Sequence, residues 1–249
     1  MIKLRNLTLN GTPRVAVGFT DAANTELLRH ALDYGVDVAE LRIDQYKSYE
    51  KDYVIDQIQK FTCLPTIATI RSKSEGGAWN LPESQRLDLF KHILTKVDAI
   101  DIESSSISIA PDLINAAHKA GKLVVVSYHN FSATPNLVDL TKTINEAKNL
   151  GADIVKIATH IKDRENLHCL AHLTLENKAK NLIVIGMGPL GTLTRILFPA
   201  LGSLLTYAFI GQPTAPGQLD YSMTADFLRK LYPNYNQEKI NSLQLLELA

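Results

Sequence analysis

The chain has 249 residues, of which 45% are hydrophobic, and its 26 basic and 26 acidic side chains give a formal net charge of +0. This length fits one large α/β domain or two small ones, and the composition supports a sizeable core. The balanced charge excludes a basic field that would attract nucleic acid or a membrane surface. The apolar runs are too short to span a bilayer, and the N-terminus lacks the apolar segment of a secretion signal, so we expect a cytoplasmic protein.

The predicted elements begin with residues 3–9 and 14–19, which flank an Asn-Gly pair at 10–11. This pattern predicts a β-hairpin that closes the bottom of the fold. Helical patterns then alternate with apolar runs. The predicted helices cover 25–34, 53–61, 82–96, 111–120, 136–150, 164–178, 192–201, 224–231 and 237–248, and the predicted strands cover 36–43, 66–70, 97–103, 122–128, 151–160, 181–187 and 204–210.

With residues 14–19 counted as the first strand, this alternation is eight units long and has no linker, which predicts a single domain over residues 1–249. Alternating strands and helices give parallel strands joined by right-handed crossovers, and eight units match an α/β fold of the (β/α)8 TIM barrel type. An open doubly wound sheet is the alternative. It would be favoured by a glycine-rich phosphate turn after the first strand, and residues 18–21, Gly-Phe-Thr-Asp, are not such a turn.

Lys156 lies in the middle of an apolar strand, between Val155 and Ile157. A buried ammonium group is costly unless it is paired or loses its proton. A desolvated lysine titrates closer to neutral pH and becomes a nucleophile toward carbonyl groups. The structural alternative is a lysine that reaches solvent or pairs with a buried carboxylate, and this stretch alone favours that alternative.

Other charged residues collect at the carboxyl ends of the predicted strands, where barrels carry their catalytic groups. Glu40 and Arg42 share one face of the second strand, and Arg71 ends the third. His129 ends the fifth strand, and Arg195 begins the helix after the seventh. Each residue alone has a structural explanation: Glu40 and Arg42 could form a structural ion pair with each other, and His129 could be a core histidine with satisfied hydrogen bonds. Together they indicate a pocket with excess guanidinium, which favours an anionic substrate such as a carboxylate and is expected to keep the strand lysine unprotonated.

The charged residues belong to several separate motifs. They are Glu40-Leu-Arg42-Ile-Asp44, Thr69-Ile-Arg71 followed by Glu75-Gly-Gly77, Ser127-Tyr-His129-Asn-Phe131 with Thr134-Pro135, Gly151-Ala-Asp153 with Lys156, Met187 with Arg195, and Ala215-Pro-Gly-Gln218. In these motifs the chain resembles the type I 3-dehydroquinate dehydratases, the Schiff-base class. The resemblance covers nearly the whole chain and rests on the order and spacing of the motifs together.

The resemblance implies that Lys156 forms an imine, that His129 transfers protons and that Glu75 orients this histidine. The substrate-binding residues that it implies are Glu40, Arg42, Arg71, Arg195, Thr214 and Gln218. It also implies a homodimer that uses no metal or organic cofactor. The implied reaction, a step of the shikimate pathway, is loss of water from 3-dehydroquinate to give 3-dehydroshikimate, with the histidine as general acid and base.

Two positions depart from the family pattern. Thr214 stands where the family often has a serine, and it keeps the hydroxyl group. Gly18 stands at the end of the first strand, where the family often has a serine that touches the substrate. One polar contact is therefore expected to be missing or supplied by water.

Two alternatives to this function remain from the sequence. A class I aldolase or transaldolase also places a lysine in a barrel strand, but the strand-five histidine and the loop at 215–218 argue against it. A non-catalytic barrel that binds a quinate-like acid predicts binding without imine formation. Metal binding is not expected, since His168 and His172 lack a third ligand and Cys63 and Cys169 are best interpreted as reduced thiols.

Overall fold

A computed structural model of the chain describes residues 2–213, 215–233 and 235–239. Its strands are β1 (Lys3–Leu4), β2 (Leu7–Thr8), β3 (Arg14–Phe19), β4 (Val38–Arg42), β5 (Thr66–Thr69), β6 (Ala99–Glu103), β7 (Leu123–Asn130), β8 (Ile154–His160), β9 (Leu182–Met187) and β10 (Leu205–Ala208). Its α-helices are α1 (Thr25–Asp33), α2 (Lys51–Gln59), α3 (Glu83–Ile93), α4 (Ala110–Lys119), α5 (Leu137–Leu150), α6 (Arg164–Glu176), α7 (Thr194–Leu201) and α8 (Tyr221–Leu231). The predicted helix at 237–248 lies mostly outside the described residues.

The central sheet has eight strands in the order β10-β3-β4-β5-β6-β7-β8-β9, and its neighbouring strands are parallel. The strands at the two ends of this order approach each other, because the amide of Leu204 donates to the carbonyl oxygen of Leu182 at 2.8 Å. A helix follows each of the eight strands. The sheet is thus a nearly closed (β/α)8 barrel, as the alternating pattern predicted, and not an open sheet. None of the helices in the described part of the chain has the length and apolar character that a membrane span requires.

The N-terminal hairpin exists, but its arms differ from the prediction. β1 and β2 pair with each other, with Lys3 opposite Thr8. Residues 14–19, predicted as the second arm, form β3, which lies in the barrel between β10 and β4. The Asn-Gly signal indicated a turn but not which strands pair across it. Asn10 does not lie in the turn between β1 and β2. Its side chain accepts a hydrogen bond from the amide of Ile2 at 2.9 Å and so connects the end of the hairpin to its beginning.

The hairpin closes the bottom of the barrel. Leu4, Leu7 and Leu9 are at most 2% exposed. They pack in one cluster with residues near the amino ends of the barrel strands, namely Ala16, Val38, Ile67, Ala99, Val125, Ile154, Ile183 and Leu205. Access for a ligand is therefore left to the opposite end, where the strands reach their carboxyl termini.

Alternation along each strand decides which side chains enter the barrel. On β4, Ala39 and Leu41 pack in the apolar layer beneath the helices, whereas Glu40 and Arg42 line the cavity at the barrel mouth. The same alternation on β8 directs Lys156 into that cavity. The prediction that Glu40 and Arg42 share one face of the second strand is confirmed.

Candidate active site

One cavity at the carboxyl ends of the strands brings together the sequence-predicted site residues. It is lined by Glu40, Arg42, Arg71, Glu75, Gly76, His129, Phe131, Lys156, Ala158, Ile185, Met187, Arg195, Tyr207, Ala215 and Gln218. Thr214, predicted to bind substrate, lies outside the described residues. In the described chain, the His, Cys, Asp and Glu side chains form no group of three or more that could hold a metal ion.

Lys156 is 4% exposed and paired with two carboxylates. Its Nζ lies 3.1 Å from Glu40 Oε1 and 3.2 Å from Asp101 Oδ2. Burial lowers the pKa of Lys156, but Glu40, Tyr207 and Asp101 raise it, and the net direction is upward from the ordinary lysine value. The expectation of an unprotonated lysine is therefore wrong for the ligand-free site, because the contacting carboxylates outweigh both burial and the neighbouring Arg71.

His129, near the end of β7, is held by Glu75. Glu75 Oε2 accepts hydrogen bonds from the ring Nδ1 of His129 at 2.9 Å and from its backbone amide at 3.1 Å. A carboxylate at Nδ1 favours the tautomer with its proton there and leaves a lone pair on Nε2. Burial, Arg71 and Lys156 lower the pKa of His129 well below the ordinary value. The imidazole is therefore neutral near pH 7, and its Nε2 is available as a base.

The Glu-Gly-Gly motif places Glu75 by allowing its loop to fold tightly. Gly76 has a φ of +80°, and a Cβ atom there would lie 2.6 Å from the Phe131 ring. A Cβ atom on Gly77 would lie 2.1 Å from the carbonyl oxygen of Arg71. Both positions thus require glycine. Ser105 donates a hydrogen bond to the second oxygen of Glu75, which completes the support of this carboxylate.

Arg71 is embedded in a buried ion network. Its Nη2 lies 2.7 Å from Asp101 Oδ1, and its Nη1 lies 3.1 Å from Glu103 Oε1. Its Nη1 also donates to Ser127 Oγ at 2.7 Å. Burial raises the pKa of Asp101, but Arg71 and Lys156 outweigh it and hold that pKa below its usual range. Asp101 is therefore an anion that links the arginine to the lysine.

Glu40 and Arg42 do not form the ion pair that a purely structural interpretation suggested. Arg42 donates from Nε and Nη2 to the two carboxylate oxygens of Asp44, at 3.0 and 2.9 Å. Glu40 accepts from Thr69 Oγ1 at 3.0 Å and pairs with the lysine. Gly18 lies beside both, and a Cβ atom there would lie 3.6 Å from Arg42 Cγ, an ordinary contact. The glycine is thus not required by space, and a serine would fit.

Arg195, in the first turn of α7, has an incompletely satisfied guanidinium. It is 3% exposed, and its Nη1 donates to the carbonyl oxygen of Tyr207 at 3.1 Å. Its Nε and Nη2 are buried and have no hydrogen-bond partner among the described residues. Burial lowers its pKa to about 10, so it remains a cation at neutral pH. A buried guanidinium that lines a cavity and has unsatisfied donors is suited to bind an anionic ligand.

The loop after β10 brings Gln218 to the same cavity. The Oε1 atom of Gln218 accepts a hydrogen bond from the amide of Ala215 at 3.0 Å. Gly217 has a φ of +78°, and a Cβ atom there would lie 2.3 Å from the carbonyl oxygen of Gly188. The Ala-Pro-Gly-Gln motif thus closes the loop tightly against the turn after β9.

Two neighbours of the lysine were not predicted as site residues. Asp101 carried a signal, since an aspartate inside an apolar strand needs a buried partner. Tyr207 carried none, because tyrosine is common in strands. The centre of its ring lies 4.3 Å from Lys156 Nζ.

The fold and the cavity define a class of protein. It is a (β/α)8 barrel whose mouth holds a buried lysine, an oriented histidine and an arginine with donors available for an anion. The type I 3-dehydroquinase family model matches residues 15–235. A 3-dehydroquinate dehydratase from Methanococcus maripaludis strain C6 is 36% identical over 221 residues, which are 87% of this chain and 96% of the relative.

Solved structures agree with this match. The 3-dehydroquinate dehydratase from Aquifex aeolicus VF5 has a TM-score of 0.79 and 32% identity, with 88% of this chain and 99% of that chain covered. A type I 3-dehydroquinate dehydratase from Clostridium difficile, described with covalent modified comenic acid, has a TM-score of 0.84 and 25% identity, with 92% and 97% covered. The chain belongs to the type I 3-dehydroquinase family. The resemblance inferred from the motifs is confirmed, and the aldolase alternative is not supported.

Proposed function

We propose that this protein dehydrates 3-dehydroquinate to 3-dehydroshikimate through a covalent imine on Lys156. The observation that carries the proposal is the position of the buried Lys156 ammonium. It lines one cavity together with a neutral, oriented imidazole and an arginine that lacks an anionic partner.

Substrate binding follows from the charges of the cavity. The carboxylate of 3-dehydroquinate binds Arg195, assisted by Gln218 and by Thr214. The ring hydroxyl groups contact Glu40, Arg42 and Arg71, which line the same cavity. The support for this arrangement is that Arg195 has unused donors, whereas Arg42 and Arg71 are already paired with carboxylates.

Imine formation begins with loss of a proton from the Lys156 ammonium. Glu40 Oε1 and Asp101 Oδ2 are the acceptors within hydrogen-bond distance of Nζ. The amine then attacks the ketone carbon. The former carbonyl oxygen takes one proton from the nitrogen and the proton held by the carboxylate, and it leaves as water while the carbon–nitrogen double bond forms. The product is a protonated imine, which withdraws electrons from the adjacent carbon.

Elimination then requires one base that becomes an acid. His129 Nε2 takes a proton from the carbon next to the imine, and the electron pair of that C–H bond moves toward the imine nitrogen to give an enamine. The enamine returns its electrons, the carbon–oxygen bond of the neighbouring hydroxyl breaks, and the proton on His129 leaves with that oxygen as water. Water finally hydrolyses the product imine and restores the lysine. General acid and base catalysis of this kind contributes about 10²–10⁴-fold.

Borohydride trapping tests the covalent step. Incubation with 3-dehydroquinate and borohydride should add the mass of the reduced ligand to the peptide that contains Lys156. Lys156→Ala removes the amine, and Lys156→Arg keeps a cation for Glu40 and Asp101 but lacks a nucleophilic amine. Both variants should be untrapped and inactive. Trapping on another lysine, or turnover by the folded arginine variant, would contradict the proposal.

We also infer that the chain acts as a single barrel domain over residues 1–249, as a cytoplasmic homodimer, and without a metal or organic cofactor. The support is the family membership together with the charge-balanced composition. Light scattering behind a sizing column would measure the mass of the assembly. A monomer at micromolar concentration would contradict the dimer.

A further inference from the structure

Tyr207 lies between the two cationic groups of the cavity. Its ring centre is 4.3 Å from Lys156 Nζ, and its backbone carbonyl accepts the hydrogen bond of Arg195 Nη1 at 3.1 Å. The residue is 4% exposed and lines the cavity. One residue therefore contacts both the imine-forming lysine and the arginine that binds the carboxylate.

The hydroxyl group of Tyr207 is buried, and no hydrogen bond of good geometry satisfies it among the described residues. Burial raises the pKa of this hydroxyl, and the nearby Lys156 ammonium offsets part of that rise. Buried polar groups are ordinarily paired, and one that is left unpaired is destabilising. Tyr46 also has a buried hydroxyl without a described partner, but it does not line the cavity. Tyr207 therefore differs from Tyr46 in its position, because a ligand bound in the cavity can form a hydrogen bond with the Tyr207 hydroxyl.

The position of the bound ligand follows from the covalent bond. Once an imine forms, the former ketone carbon is one bond away from Lys156 Nζ, and its two ring neighbours are one bond further. These atoms therefore lie within reach of the Tyr207 side chain, which already contacts Nζ. A polyhydroxylated ring presents several oxygens there, and a tyrosine hydroxyl both donates and accepts hydrogen bonds.

We propose that Tyr207 is a substrate-contacting catalytic residue whose hydroxyl hydrogen-bonds with an oxygen atom of the covalently bound ring. This inference rests on the proposed function. Because the contact exists only when the ring is attached to Lys156, it stabilises the covalent stages more than the first encounter. Its removal should lower kcat and leave KM nearly unchanged.

The test is Tyr207→Phe, which keeps the aromatic ring and removes only the hydroxyl. We expect kcat to fall roughly tenfold, as for loss of one hydrogen bond in a buried site. The thermal midpoint of the ligand-free protein should be unchanged or higher, because an unpaired buried hydroxyl is removed. Borohydride trapping on Lys156 should persist. A merely structural hydroxyl would instead lower the thermal midpoint and leave kcat intact.

Tyr46→Phe is the matched control, since it removes a buried hydroxyl outside the cavity and should leave kcat at the wild-type value. If wild type is trapped with borohydride and Tyr207→Phe loses less than threefold in kcat, the role of the hydroxyl is refuted and the proposed function stands. If wild type neither forms product nor is trapped, the proposed function itself fails. A loss of threefold or more in Tyr207→Phe alone supports the inference.

Discussion

Two buried arginines should respond in opposite ways to the same substitution. Arg195 lines the cavity, and its Nε and Nη2 have no hydrogen-bond partner in the described chain. Arg86 on α3 is 0% exposed, but it contacts Glu103 at 3.0 Å and Glu83 at 2.9 Å. We predict that Arg195→Met stabilises the ligand-free protein and strongly lowers its activity, whereas Arg86→Met destabilises the protein.

The magnitude for Arg195 follows from its burial. Burial lowers its pKa to about 10, which corresponds to about 3 kcal/mol at ~1.36 kcal/mol for each pH unit. Methionine retains an apolar stem without the charge, and the lost hydrogen bond to the Tyr207 carbonyl is worth about 1 kcal/mol. The net gain is about 2 kcal/mol, or roughly 4–8 °C in Tm for a chain of this size. Loss of the charged donors should lower kcat/KM by about 100-fold or more.

Arg86→Met is the control, because it removes a cation that does have partners. The substitution leaves the buried Glu103 without one of its two arginines, and breaking a buried pair costs about 3–5 kcal/mol. Tm should therefore fall by roughly 6–20 °C. Circular dichroism of ligand-free protein measures both midpoints, and the ultraviolet absorbance of the conjugated product measures kcat/KM.

Two results would contradict the role assigned to Arg195. If Arg195→Met melts below wild type, Arg195 is a structural residue that the protein needs without ligand. If that variant keeps kcat/KM within twofold of wild type, Arg195 does not hold the substrate carboxylate. Either result would refute the argument that an unpaired buried charge is maintained for the ligand.

Further expectations concern the same cavity. Arg195→Lys retains the charge but loses the planar fork of the guanidinium, so weaker binding and slower turnover are expected together. Kinetic constants within twofold of wild type would argue against a role for Arg195 in binding the substrate carboxylate. His129→Ala should slow turnover by at least ~10²-fold while an imine accumulates that borohydride traps; near-normal turnover with an unchanged melting curve would exclude this role. Because the pKa of His129 is lowered, the folded state binds fewer protons than the unfolded one. The stability from its neutral form is complete above about pH 6.5 and is lost as the pH falls through the folded pKa, so His129→Asn should flatten that acid limb. Exhaustive EDTA treatment should leave activity unchanged, and loss of activity that zinc or magnesium restores would contradict a metal-free mechanism.

Most of the barrel could be predicted because each local signal had one interpretation. Glycine and proline punctuation marked the helix ends, and apolar runs marked the strands. The errors arose where pairing decides the structure. β7 runs two residues beyond its predicted end at Tyr128, because Asn130 still pairs with Thr159 of β8. Likewise, β3 left its predicted hairpin partner because two barrel strands offered a parallel ladder on both sides.

The composition of the site was predictable, but its pairings were not. Alternation along a strand indicated that Glu40 and Lys156 face the interior. The distances between them depend on the curvature of the barrel, since Glu40 and Asp101 are 116 and 55 residues from the lysine. The sequence showed excess guanidinium, but not that Arg71 is occupied by Asp101 and Glu103. The protonation state of the lysine followed from these pairings and was therefore predicted wrongly.

The raised pKa of Lys156 is consistent with imine chemistry once the whole cycle is considered. The carboxylates of Glu40 and Asp101 stabilise a positive charge at Nζ, and a protonated imine carries its positive charge on the same atom. The same field that favours the resting ammonium therefore favours the electron-withdrawing intermediate, without reorganising the site at the moment of reaction. Only the short-lived neutral amine is disfavoured. The contacting carboxylates are placed to accept the proton that the ammonium loses when this amine forms. The pairing that first suggested a purely structural lysine thus favours the protonated imine that we propose for the elimination.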